Sequence, residues 1–135
     1  MVNKFDKRFS KDFRFSGSDF DVVVSLVKPI EVENVKVSFA HVPENWAFSP
    51  SKVEVMTSED SISFSEPYVV NLSFDPSSEK ENTPQNIVVD IPINAKNVKY
   101  VKIVAKSIKK IPYWHNAKGL SPWIMVDELK IKGNL

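Results

Sequence analysis

Along this chain apolar residues alternate with polar ones in short runs, and a pleated strand turns such alternation into one apolar and one polar face. The plainest run is residues 34–40, where Val35, Val37 and Phe39 point one way while Lys36 and Ser38 point the other. The same period recurs in residues 20–26, 52–55, 70–74, 87–91, 101–105 and 125–131, and each run predicts a strand. Prolines at 29, 43, 50, 67, 76, 84, 92, 112 and 122 cut the chain into pieces too short for useful helices. Seven or so short strands, separated by Pro, Ser, Asn and Asp clusters and lacking an amphipathic helical stretch, predict an all-β antiparallel sandwich or jelly roll. The most polar stretch, residues 75–84, predicts an exposed, mobile loop.

Composition narrows the class further. The 135 residues suffice for one domain with a full core, and no internal repeat or second boundary is visible, so residues 1–135 read as one domain. Hydrophobic residues at 42% and charged ones at 26% exclude a disordered or membrane-spanning chain. With 18 basic and 17 acidic residues the net charge is +1, so no long-range field draws the protein to nucleic acid or to an anionic membrane. There are no cysteines, hence neither disulfides nor thiolate metal sites. Residues 1–7 lack the apolar run of a signal peptide and read as the start of a segment cut from a longer protein, whose export signal would lie upstream.

Residues 46–55, together with residues 99–105 running through Tyr113, Trp114 and His115 to residues 123–129, carry a resemblance. A valine-rich strand after tyrosine, a proline-aromatic-tryptophan-histidine loop and a closing tryptophan strand ending in Asp-Glu follow one another in that order. This is similar to a discoidin, or coagulation-factor type C, domain, and most closely resembles the C-terminal domain of bacterial family 20 β-hexosaminidases, the chitobiases. The resemblance spans roughly residues 15–132 and implies a galactose-binding-domain-like sandwich. It also implies a non-catalytic module at the C-terminal end of a glycoside hydrolase, and a periplasmic or extracellular location. Residues 25–27 depart from the family by lacking the glycine that ends the corresponding strand. No cofactor is expected, because the family's opening loop, which often binds calcium, has no counterpart between Phe5 and Phe15.

The candidate chemistry agrees with a binding role. His41 and His115 are the only histidines, with no further ligands at zinc-site spacing, and Pro43 forbids a helix that would bring His41 and Glu44 onto one face. Asp127 and Glu128 are adjacent, so on a strand they point to opposite faces and cannot embrace one glycosidic bond. One of them is expected to satisfy buried donors near the chain end. A sugar instead needs a flat aromatic face ringed by polar groups. Such residues gather in two loops, residues 41–46 and 111–119. Trp46, Tyr113 and Trp114 would offer stacking faces, and His41, Glu44, Asn45, His115 and Asn116 hydrogen bonds. Each has a plainer role as well: the histidines as pins for the loop backbone and the tryptophans as plugs over the core, the role expected of Trp123. The lysines at 96, 99, 102, 106, 109 and 110 read as a solvated strand face.

Two functions follow. The first is a monomeric carbohydrate-binding module that holds a glycan, either N-acetylhexosamine-containing or galactose-type. The second is a structural module that uses the aromatic loops to dock on its parent catalytic domain. A contiguous apolar patch would favour docking, and a concave, polar-rimmed cleft would favour binding.

Overall fold

The computed structural model describes residues 4–9, 13–16, 19–72 and 74–134. They form seven strands: β1 (Lys4–Phe9), β2 (Phe13–Ser16), β3 (Phe20–His41), β4 (Lys52–Ser58), β5 (Tyr68–Asn71), β6 (Gln85–Lys106) and β7 (Trp123–Asn134). All strand pairings are antiparallel. Among the described residues the only helical pieces are two 3₁₀ turns, Pro43–Asn45 and Glu79–Glu81.

β3 and β6 explain how one ribbon makes two layers. Each fuses two of the runs expected as separate strands, because the chain bends between them and keeps its ladder. Residues 20–25 of β3 pair with residues 100–105 of β6, and residues 34–41 pair with residues 85–92. Between these stretches the register slips near Ser25, Ile30 and Val32. Such irregularities turn a strand pair and let it change sheets. Asn94 and Asn97 take left-handed backbones in this bend, φ 53° and 55°, which asparagine tolerates better than most residues. Pro29 falls in the gap between paired positions, where its missing N–H leaves no ladder bond unmade.

The layers then grow outward in the order β1-β7-β3-β6-β4-β5, with β2 also on β7. The C-terminal half of β3 pairs with β7, whereas the C-terminal half of β6 pairs with β4. Val35, Val37 and Phe39 of β3, Val53 and Val55 of β4, and Val101, Ile103 and Ala105 of β6 are wholly buried in one core cluster. These are the inward positions of the sequence alternation. β5 lies a few residues earlier than residues 70–74: Leu72 and Phe74 fall outside the strand and Ser73 outside the described residues. Trp123 is not the expected core plug. Its side chain remains 37% exposed because it alternates with buried Ile124 at the head of β7 and so faces outward.

His41, Lys52, Gln85, Lys106 and Trp123 are strand ends that meet at one pole. The loops of residues 42–51, 72–84 and 107–122 therefore gather there.

Candidate functional site

The first polar loop is sewn to its neighbours through the backbone. Val42 and Ala47 exchange hydrogen bonds of 2.8 and 3.2 Å around the Pro43–Asn45 turn, and Trp46 closes it in a left-handed conformation, φ 65°. The Trp123 N–H donates to the Trp46 carbonyl at 2.8 Å and the Phe48 N–H to that of Trp123 at 2.9 Å. In the 107–122 loop, Ile111 and Leu120 are bonded at 2.8 Å, and Gly119 at φ 82° supplies a turn that other residues resist. Phe48, Ile111 and Ala117 are buried together beneath Ile108 and Trp114, making a small second core under this pole.

Two imidazoles staple the loops. The His115 Nδ1 accepts the Ala117 N–H at 2.9 Å and its Nε2 lies 2.8 Å from the Pro43 carbonyl. A carbonyl only accepts, so Nε2 is the donor in that bond. His41 repeats the scheme: Nδ1 accepts the Ser49 N–H at 3.0 Å and Nε2 donates to the Glu81 carbonyl at 2.8 Å. Burial holds the His41 imidazole below its ordinary pKa, and the Glu81 carbonyl and charge restore only part of that loss.

The third loop docks on the other two. Trp114 Nε1 donates to the Ser77 carbonyl at 2.8 Å, the Phe74 ring meets His41 edge-on at 4.9 Å, and Gln85 bonds the Glu81 carboxylate at 2.9 Å. Residues 75–84 expose most of their side chains, as their polarity requires, but they are not a free loop: those contacts anchor them across the pole.

Together the loops enclose a cleft of about 380 Å³ lined by Pro43, Glu44, Asn82, Pro84, Trp114, His115 and Asn116. Among the expected residues, Glu44, Trp114, His115 and Asn116 face this space. Asn45, Trp46 and Tyr113 are exposed at the same pole but outside the cleft. His41 requires correction: it is wholly buried with both ring nitrogens engaged, so it supports the wall and offers a ligand nothing. Asn82 and Pro84 were not anticipated, because only the pairing of residue 85 with His41 brings the end of a polar loop beside the first aromatic one.

The polar capacity of the cleft is specific. The rings of Trp114 and His115 spend their nitrogens on the protein, so they present only faces and edges. The Glu44 carboxylate and the Asn82 and Asn116 amides have no side-chain partner among the described residues, leaving them for a ligand. Pro43 and Pro84 add apolar surface. Hydrolysis of a glycosidic bond by the usual route needs two carboxyl groups, and this lining holds one. Among the described residues no three His, Cys, Asp or Glu side chains gather in a way that could hold a metal ion. Asp127 is exposed and Glu128 half-buried on β7, away from this lining.

No protein-family model matches this chain, and no curated protein matches it. Solved structures do. The third CBM32 domain from a family 31 glycoside hydrolase of Clostridium perfringens superposes with a TM-score of 0.51 at 14% identity, covering 96% of this chain and 74% of that one. The K1 cleaved adhesin domain of Lys-gingipain from Porphyromonas gingivalis gives a TM-score of 0.51 at 13% identity, covering 92% of this chain and 75% of that one. The fold is thereby that of a discoidin-like antiparallel β-sandwich, the jelly-roll class expected from the alternating runs.

Proposed function

We propose that this chain is a non-catalytic accessory module that binds a glycan in the three-loop cleft and keeps it near the active site of a secreted glycosidase. The observation that carries this reading is the lining itself: apolar Pro43, Pro84 and Trp114 beside an unpartnered carboxylate and two unpartnered amides. A pyranose has the matching pattern, a C–H face and a fringe of hydroxyls. Glu44 would accept hydroxyl protons, Asn82 and Asn116 would donate and accept, and Trp114 would stack. The ligand is an N-acetylhexosamine-containing or galactose-type glycan, and the parent a family 20 β-hexosaminidase exported to the periplasm or cell exterior. The module acts as a monomer and gains its effect by raising local concentration. The superposition on a carbohydrate-binding domain of a glycoside hydrolase supports this choice of role.

Titration of the folded domain with chitin oligomers, N-acetylglucosamine and galactose tests it. Heat release or amide shifts at residues 43–44, 82–84 and 114–116 are expected, and Trp114→Ala should abolish them. No response to any glycan refutes the proposal. The docking alternative has its own support, since Trp46, Leu120 and Trp123 are 38%, 51% and 37% exposed and Tyr113 is 81% exposed around this pole. It prevails if the glycans fail and the isolated domain binds the parent catalytic domain.

A further inference from the structure

A second cleft of the same size lies at the opposite pole. β4 begins beside the three loops at Lys52 and ends six residues later at Ser58, about 20 Å away at strand spacing. There the loop that follows β4 faces the bend of β6. Thr57, Ser58, Glu59, Ser63, Phe64, Ser65, Lys96, Asn97 and Val98 enclose about 380 Å³.

The loop is rigid for reasons internal to it. The Asp60 carboxylate accepts the Ile62 and Ser63 N–H groups at 2.9 and 3.0 Å and the Ser58 hydroxyl at 3.1 Å. The Ser65 N–H reaches the Thr57 carbonyl at 2.8 Å while the Ser65 hydroxyl accepts the Thr57 N–H at 3.0 Å. Those bonds consume Asp60, Ser58 and Ser65. The side chains of Glu59, Ser63, Lys96 and Asn97 keep no partner among the described residues, and Glu59 and Lys96 are not paired with each other. Phe64 provides a half-buried ring, one side of it approached by the Lys102 ammonium at 5.9 Å.

We propose that this second cleft binds a neutral saccharide unit, which makes the module bivalent. A ligand with net charge meets a like charge in either Glu59 or Lys96. A sugar hydroxyl donates to the carboxylate and accepts from the ammonium, so a neutral polyol uses both. Ser63 and Asn97 extend that fringe, and Phe64 and Val98 supply apolar contact. With the two clefts at opposite poles, one domain can hold two glycan chains at once and gain by effective concentration what each site lacks in affinity. The ligand class follows from the proposed function, and the location does not.

Amide spectra of the folded domain, titrated with methyl glycosides of galactose, glucose and N-acetylglucosamine, separate the two sites. A saturable shift set at residues 57–65 and 96–98, distinct from the set at the first cleft, is expected. Glu59→Gln and Lys96→Gln are surface changes that leave the fold intact, and each should weaken the second set by roughly tenfold, the loss of one hydrogen bond to a charged group. Trp114→Ala should erase the first set and spare the second. If the first cleft responds and residues 57–65 and 96–98 do not, the second site is refuted while the first stands. If the second set survives both charge-removing variants unchanged, the assignment of its ligand contacts is overturned.

Discussion

Acid should loosen the domain through His41, and the size of the effect can be worked out. The folded state holds this imidazole neutral because Nδ1 already receives the Ser49 N–H and the ring is wholly buried. Its pKa is lowered from 6.5 by that burial, so the unfolded chain takes up a proton that the folded chain refuses. His41 therefore contributes stability that is full above 6.5 and is lost as pH falls from there toward the folded value. The limiting slope is one proton, about 1.4 kcal/mol per pH unit. Between about pH 7.5 and pH 5.5 the loss reaches at most about 1.4 kcal/mol, which a urea midpoint resolves easily. Asp19, Asp60 and Asp75 have pKa values lowered from 3.8, so their contributions fade only at more acid pH, below this window. Urea unfolding of the wild type and of His41→Gln across that range is the measurement. The variant should be less stable at neutral pH by about 1–3 kcal/mol, from lost hydrogen bonds, and flatter with pH. Parallel pH profiles for the two proteins would refute the reasoning.

Two further outcomes test the frame around the sites. Gly133 pairs with Val32, and an added Cβ would run into the Glu31 carbonyl, so Gly133→Ala should cost about 1–3 kcal/mol in thermal or urea unfolding. Burial raises the Asp19 pKa, but hydrogen bonds from Lys109, the Ser107 N–H and Lys106, with the Lys109 charge, outweigh it and lower it overall. Asp19→Asn should therefore destabilise the domain by about 1 kcal/mol at neutral pH, a difference that shrinks as pH falls through the folded carboxylate range.

The alternation of Val35, Val37 and Phe39 with Lys36 and Ser38 was enough to place a strand and its buried face, because burial on one side imposes period two. The fusion of residues 20–26 with 34–40 was not legible. Pro29 looks like a terminator until the register slip that accommodates it is seen. β1 and β2 are not among the expected strands, because at six and four residues they are too short for an alternating pattern to stand out. At the site, composition singled out the two aromatic loops, and Glu44, Trp114, His115 and Asn116 share one cleft. Which aromatic faces inward depends on loop backbone, such as the left-handed Trp46, that side-chain chemistry does not announce. Asn82 and Pro84 depend on a pairing between segments more than forty residues apart in sequence, beyond the reach of any local pattern.

The shared ribbon of β3 and β6 has a kinetic side. β4 and β5 are inserted between its two strands, so the central ladder cannot zip from a tight hairpin, and Phe20 finds Ala105 only after most of the chain has been made. Closure entropy comes due before the contacts that repay it, the mark of high contact order and of folding in milliseconds to seconds. During synthesis the apolar edge of β3 waits unpaired on the ribosome, and a nascent chain in that state is a natural client for holdase chaperones.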